Sequence, residues 1–246
     1  MGFTDLHCHL LPGVDDGPES MAETVAYAAT AAAAGTTTIV ATPHIERVDV
    51  RELPDRVRAV RAALGAEGIA LDVRCGGELK PFSVTELGNE ELDVIAHGPP
   101  AARWVLYEVP FHGPDDEFVA GARELRARGF GVLLAHPERS RGMLESGLPV
   151  VEALVAEGAL VAANVGPLLG LEGDGRRRAA EHLLRRGVPA VLATDAHAPD
   201  RPHTLAMGAD AARRVTGRAH LPRRLTRDTP ARLLAEGLRG AARRAA

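Results

Sequence analysis

Seven short apolar runs recur along this chain, and nearly every one leads at its carboxyl end to a histidine or a carboxylate. FTDLHCHLLPGVDDG carries His7, His9 and Asp16, and TTTIVATPH ends on His44. The run at 71–75 leads through two glycines to Glu78, and WVLYEV holds Glu108. GVLLAHPER reaches His136, and AVLATDAH carries Asp195 and His197. The remaining run, at 160–163, is followed by Asn164. Amphipathic stretches separate most of these runs. Ser20 and Glu23 form an S-x-x-E capping box, opening a helix to about Ala34 that stops at Gly35. Further helices are expected at 54–64, 115–128, 150–157 and 175–186. Strands alternating with helices favour a parallel sheet over a sandwich.

Two parallel architectures fit that alternation, a closed barrel and an open doubly wound sheet. In an open sheet the strand ends lie along a line too long to share one site. In a barrel they converge on one mouth, where active sites of such folds lie. The expectation is therefore an α/β fold, a distorted TIM-like (β/α)7 barrel. At 246 residues it fits a single domain spanning 1–246. The arginine-rich tail beyond Arg218 is expected to be a solvated helical edge.

Composition removes several function classes. A formal charge of −4 offers no bulk attraction to nucleic acid or anionic lipid. No apolar run approaches the roughly 18 residues of a membrane span, so no membrane insertion is expected. MGFTDLHCH lacks the basic and apolar regions of a signal peptide, and a cytoplasmic location follows as the expectation. Cys8 and Cys75 are too few for a disulfide framework. Val14 and Pro81 stand where a C-x5-R phosphatase loop needs arginine, which excludes cysteine-based phosphate chemistry of that type.

In an extended strand, residues i and i+2 point the same way, so His7 and His9 reach one ion while Cys8 turns away. Asp195 and His197 repeat that spacing. His44 and His136 stand singly, and either alone could merely cap the next turn. Glu108 in an apolar strand is costly unless it is paired, in a salt bridge or on a metal. Asp15 and Asp16 both reach the mouth, and spacing does not choose between them. Nine candidates exceed one four-coordinate ion, so two or three divalent ions sharing carboxylates are needed. Mixed imidazole and carboxylate donors suit zinc, manganese or iron rather than a closed structural zinc site. Such clusters generate hydroxide near neutral pH and stabilise in-line displacement, which points to phosphate ester hydrolysis. Arg139 and Arg201 fit phosphate binding through their planar forks, although an arginine-biased chain also carries surface arginines.

HCHLLPGVDDGP, ATPH, GGE, AHPER and TDAH, in this order, resemble the polymerase-and-histidinol-phosphatase (PHP) superfamily. Within it, the opening motif together with HPER resembles the bacterial manganese-dependent tyrosine phosphatases of capsule and exopolysaccharide operons. The likeness runs from Asp5 to about His203. It implies a distorted barrel of seven βα units with a three-metal centre, manganese being the expected ion and iron or zinc the alternatives. It also implies a ligand set: His7, His9, Glu78 and Asp195 around the first ion, and Glu78, Glu108 and His136 around the second. Asp16, His44 and His197 would hold the third. The catalytic set it implies is Arg139, Arg201 and Asp195, with Asn164 completing the pocket.

The implied substrate is a phosphotyrosine protein, with a polysaccharide-export tyrosine autokinase as the partner in regulating polysaccharide biosynthesis. Phe82 and Phe111 are the candidate platforms for the tyrosine ring. Two departures stand out: Thr194 replaces the serine often found before DAH, and GGELKPF is less typical around Glu78. The competing readings are a small-molecule phosphatase, such as one acting on histidinol phosphate, and a non-catalytic metal-binding regulator. The presence of all nine candidate ligands argues against the regulator.

Overall fold

A computed structural model describes residues 2–240. Its eight strands are β1 (Phe3–Cys8), β2 (Thr36–Ala41), β3 (Asp72–Cys75), β4 (Glu78–Leu79), β5 (Trp104–Glu108), β6 (Gly131–Ala135), β7 (Leu160–Asn164) and β8 (Val191–Ala193). They form two sheets, β1-β2-β3 and β4-β5-β6-β7-β8, and every pairing is parallel. The ladder is not continuous around the ring. Two parallel bridges join the sheets at their carboxyl ends, Cys8 with Ala196 and His44 with Glu78. The result is the expected distorted barrel, tied together most firmly at the mouth.

The eighth strand was not expected. After β3, Gly76 and Gly77 let the chain pass where a Cβ would lie 2.6 Å from Val40 Cγ1 and 2.4 Å from Ile45 Cγ2. The chain then re-enters the sheet for two residues as β4. That short re-entry places Glu78 on a strand instead of in a loop.

Side chains alternate between two apolar layers. Val105, Tyr107, Val132 and Leu134 pack outward against helices through residues such as Phe118, Leu125 and Leu154. Trp104, Leu106, Leu133, Ala135, Ala162 and Val191 form the inner layer. On β5 the inner series thus runs Trp104, Leu106, Glu108, from an apolar base to an acid at the mouth. β1 departs from strict alternation, because its register against β2 shifts between Asp5 and Cys8. Leu6 belongs to the inner layer, whereas Cys8 packs in the outer one. The extra residue of this bulge turns His7 inward next to Leu6, the kind of re-aiming that bulges provide beside sites.

The expected helices form with shifted ends, as Met21–Ala33, Leu53–Ala66, Asp116–Ala127, Leu148–Ala156 and Asp174–Arg186. Ser20 caps the first by accepting from Glu23 N at 3.3 Å, while Glu23 reaches back to Glu19 N at 2.7 Å. The helix Leu205–Thr216 was not anticipated. Its buried face is Leu205, Gly208, Ala211 and Ala212, too small to register as an apolar stripe. A Cβ on Gly208 would meet Val165 Cγ2 at 2.4 Å, so close approach is what this face provides.

The tail also differs from expectation. It is helical at Thr229–Glu236, but Leu233 enters the inner layer and its carbonyl accepts from Trp104 Nε1 at 2.9 Å. The tail therefore plugs the barrel base, and only its outer face is solvated. The part of the expected edge at 241–246 lies outside the described residues. No helix among the described residues is long and apolar enough to cross a membrane.

At the base, His97 pairs with Trp104 through two backbone hydrogen bonds of 2.9 Å and tilts its ring on the indole. Burial, with Arg74 and Arg103 nearby, pushes its pKa down to about 4, and Nε2 has no hydrogen-bond partner. An unfolded histidine titrates near ~6.5. The stability that neutral His97 contributes is thus complete above pH ~6.5 and is lost as pH falls from there through about 4. Between pH 7 and 5, wild type should lose about 2 kcal/mol more than His97→Gln in urea unfolding. Parallel losses in the two proteins would remove His97 as the cause.

Candidate metal centre

The strand ends and the first loop bring eight of the nine candidate ligands together at one mouth. His7 and His9 Nε2 stand 3.3 Å apart, and each lies 3.3 Å from Asp195 Oδ1. Glu78 Oε2 lies 3.4 Å from His7 Nε2, 3.3 Å from His9 Nε2 and 3.1 Å from His44 Nδ1. The other oxygen, Oε1, is 2.8 Å from His136 Nε2. Asp16 reaches in from the first loop, with Oδ1 at 3.3 Å from His197 Nε2 and 3.6 Å from His44 Nε2. Three groups of ligand atoms result: His9, Asp16, His44 and His197; His7, His9 and Asp195; and His7, Glu78 and His136.

These groups overlap the sets implied by the resemblance but redistribute them. His9 joins Asp16, His44 and His197, and His7 joins Glu78 and His136. Glu108 belongs to none of the three groups. Burial, reinforced by the charge of Glu78, pushes its pKa up to about 8. Asp195 and Glu78 behave oppositely. Burial disfavours their charged forms, but the surrounding imidazoles, His7 foremost, outweigh it and hold both well below the usual carboxylate range.

The backbone at this mouth is bent to serve the side chains. His136 and Asp195 have φ of 38° and 49°, the only non-glycine residues with positive φ among those described. Such conformations persist where surrounding structure over-determines them, and they cluster at functional sites. Asp195 is anchored by its backbone, whose N donates to His7 O at 2.8 Å.

Neighbouring groups set the orientation of two of the imidazoles, His9 and His197. His9 Nδ1 lies 2.6 Å from Asp15 Oδ2, which turns its Nε2 to the centre. His197 Nδ1 lies 2.9 Å from the Asp195 carbonyl, again leaving Nε2 free. Carboxylate or carbonyl partners on the far nitrogen are the usual support for metal-binding histidines. Asp15 therefore orients, and it also accepts from His44 N at 2.9 Å. Asp16 presents its carboxylate inward.

The donor set fits divalent cations. Glu78 Oε2 is buried and accepts no hydrogen bond, although three imidazole nitrogens lie within 3.4 Å. His197 Nε2 is likewise buried without a hydrogen-bond partner. Buried polar atoms left this way are expensive unless something else satisfies them. Convergent lone pairs of imidazole and carboxylate are satisfied by a cation and by little else. Cys8 is absent from this set. It is fully buried in the outer layer, where burial pushes its thiol well above its ordinary pKa.

Two arginines border the ligands. Arg139 Nη1 donates to Asp195 Oδ2 at 2.5 Å, and Arg201 Nη1 donates to the same oxygen at 3.3 Å. Asn164 Nδ2 donates to it at 2.8 Å. One oxygen of Asp195 is thus tied to three donors while the other faces His7 and His9. Arg201 returns to the mouth because its N bonds His197 O at 2.8 Å in a tight turn. Phe111 lies beneath the Arg139 guanidinium, 4.8 Å from ring centroid to Cζ, and is partly exposed.

Sequence reasoning missed two contributors. Asp5 is buried and accepts from Thr194 N, Thr194 Oγ1 and His7 N, locking β1 to the end of β8. The bulge in β1 hid it, since simple alternation cannot place it. Glu172 lies 3.0 Å from Arg139 Nε and comes from a loop with no motif of its own.

Comparison with known proteins finds metal-dependent tyrosine phosphatases among the similar chains. Residues 3–235 match the family described as "Capsular polysaccharide synthesis, CpsB/CapC". The tyrosine-protein phosphatase YwqE of Bacillus subtilis (strain 168) is 28% identical over 197 residues, covering 78% of this chain and 76% of YwqE. The putative tyrosine-protein phosphatase CapC of Staphylococcus aureus is 26% identical over 210 residues, covering 82% of this chain and 80% of CapC. Among solved structures, YwqE from Bacillus subtilis and CpsB from Streptococcus pneumoniae are described together as metal-dependent tyrosine phosphatases. The matching chain has a TM-score of 0.83 and 25% identity, covering 96% of each chain.

Proposed function

Because this chain belongs to the CpsB/CapC family of capsular polysaccharide synthesis, we propose that it is a metal-dependent protein-tyrosine phosphatase. The observation that carries this is the convergence of His7, His9, His44, His136 and His197 with Glu78, Asp16 and Asp195, bordered by Arg139 and Arg201. The catalytic set proposed is Arg139, Arg201 and Asp195.

The ligands proposed are the eight residues of the three groups together with Glu108, and the ions are three manganese. Oxygen and imidazole donors without thiolate suit manganese, with iron and zinc as the competitors. Such ions supply Lewis acidity and bring the pKa of a coordinated water near neutrality.

The chain's own residues do the rest. Arg139 and Arg201 project from the segments after β6 and β8 onto one oxygen of Asp195, where their forks can grip phosphate oxygens and neutralise developing charge. Asn164 and the two arginines hold Asp195 so that its second oxygen stays turned to His7 and His9. Phe111 beside Arg139 offers an aromatic face for the tyrosine ring. The ordinary tyrosine pKa of ~10 makes tyrosinate a tolerable leaving group. No cysteine takes part, so no phosphocysteine forms. The substrate proposed is a phosphotyrosine protein, specifically a tyrosine autokinase of polysaccharide export. The cytoplasm, where thiols such as Cys8 and Cys75 stay reduced, is the proposed compartment.

The test is phosphate release from a phosphotyrosine peptide and from histidinol phosphate, before and after chelation. Activity on the peptide should vanish on chelation, return with manganese and survive in Cys8→Ser within about twofold. A large preference for histidinol phosphate would replace this reading with that of a small-molecule phosphatase. Loss of activity in a folded, metal-loaded Cys8→Ser would overturn the metal route itself.

A further inference from the structure

Beside the metal centre runs a second cleft, of about 390 Å³, that the hydrolytic chemistry does not use. Phe111 and Arg139 form the edge it shares with the centre, and Arg141, Arg176, Arg178 and Glu145 line the remainder. Arg141 comes from the loop after HPER and is tied to the neighbouring loop, its N donating to Phe111 O at 2.8 Å. Arg176 and Arg178 come from the first two turns of the helix Asp174–Arg186.

Four arginines, Arg139, Arg141, Arg176 and Arg178, line this one cleft. Several surface arginines elsewhere are neutralised locally, as in Arg51 with Glu91, Arg56 with Glu52, Arg123 with Glu157 and Arg186 with Glu152. From outside the cleft lining, Glu172 serves both Arg139 and Arg176, at 3.0 and 2.9 Å, and holds them side by side. Arg141 and Arg178 are exposed and have no carboxylate partner among the described residues. Glu145 is the one exposed acid in the lining. Glu138, also in the lining, is buried, with Oε1 accepting from Asn164 N at 2.5 Å. A chain of formal charge −4 thus keeps unpaired positive charge next to its phosphate-binding arginine.

We propose that this cleft is an anion subsite that takes acidic side chains flanking the phosphotyrosine of the protein substrate. It rests on the phosphatase reading and adds to it the class of substrate sequence. The guanidinium forks of Arg141 and Arg178 match carboxylate geometry. Arg139 and Phe111, shared between cleft and centre, make the two continuous, so a peptide with its phosphotyrosine at the metals lays its neighbours along the cleft. The volume admits a short run of side chains.

The test uses the full-length, manganese-loaded protein and two phosphotyrosine peptides of equal length. One has Asp and Glu on both sides of the phosphotyrosine, the other Asn and Gln. Wild type should show about tenfold higher kcat/KM on the acidic peptide, carried by KM, and the ratio should fall towards one as salt is raised past the screening range. Arg141→Ala with Arg178→Ala should bring the ratio near one at low salt, and the double change to Glu should invert it. Equal kcat/KM on the two peptides in active wild type would overturn the subsite alone. So would a preference that persisted in the double variants or ignored salt. Wild type releasing phosphate from neither peptide would overturn the phosphatase reading and the subsite with it.

Discussion

Glu78→Gln should lower phosphotyrosine turnover by about a thousandfold or more, roughly 4 kcal/mol of transition-state stabilisation, and should strip metal from the protein. No other carboxylate at the centre meets as many imidazoles. Its two oxygens lie within 3.4 Å of nitrogens from His7, His9, His44 and His136. Glutamine keeps the shape but replaces one acceptor oxygen with an NH2 donor and removes the charge. An amide NH2 cannot coordinate a cation and is repelled by it, and the remaining carboxylates, Asp195, Asp16 and Glu108, cannot neutralise several divalent ions. Metal per chain, measured by elemental analysis beside turnover and thermal melting, checks the prediction. A folded variant with full metal content and full activity would mean that Glu78 is not a ligand.

Arg139→Ala should reduce kcat/KM by two to three orders of magnitude while leaving metal content close to that of wild type. Its guanidinium joins Asp195 Oδ2 to Glu172 and stacks over Phe111, so its position is set on three sides. Arg139→Lys keeps the charge but loses the planar fork, and it should recover less than about a tenth of the activity. The contrast with Glu78→Gln is the point of the measurement: one change removes the ions, the other the phosphate grip. Metal loss in Arg139→Ala equal to that in Glu78→Gln would mean that Arg139 acts by holding Asp195 in place. Full activity in Arg139→Lys would reduce its role to a point charge.

Much of the fold was legible because two simple periods were present. Buried strands such as GVLLA read as continuous apolar runs, and the helix Asp116–Ala127 shows its buried face in Phe118, Ala122 and Leu125. Elements whose packing rests on small residues were not legible. The helix Leu205–Thr216 buries Gly208 and Ala212 where larger side chains would announce a face. The two-residue β4 is shorter than any period that could reveal it. The tail reads as charged from its arginines, yet Leu233 is what positions it against Trp104.

In the site, the chemistry was written in the residue types, and the partnerships were not. The i, i+2 spacing of His7 and His9 holds, with their Nε2 atoms 3.3 Å apart. The Asp5 contacts that lock β1 to β8 depend on a bulge that no residue type encodes. Glu172 meets Arg139 only because a loop after β7 folds back over the loop after β6.

The sequence by itself determined that this chain is a parallel α/β barrel with imidazole and carboxylate donors at its strand ends. That followed because strand period, helix caps and ligand types are local properties. Tertiary structure alone decided how the donors divide. It set Asp15 to orient His9 while Asp16 faces His197, left Glu108 outside the three groups, and put His136 and Asp195 in left-handed backbone. Those outcomes depend on ångström-scale distances between segments up to 189 residues apart in the chain. Such distances are set by sheet register and loop closure together, which no single stretch of sequence contains.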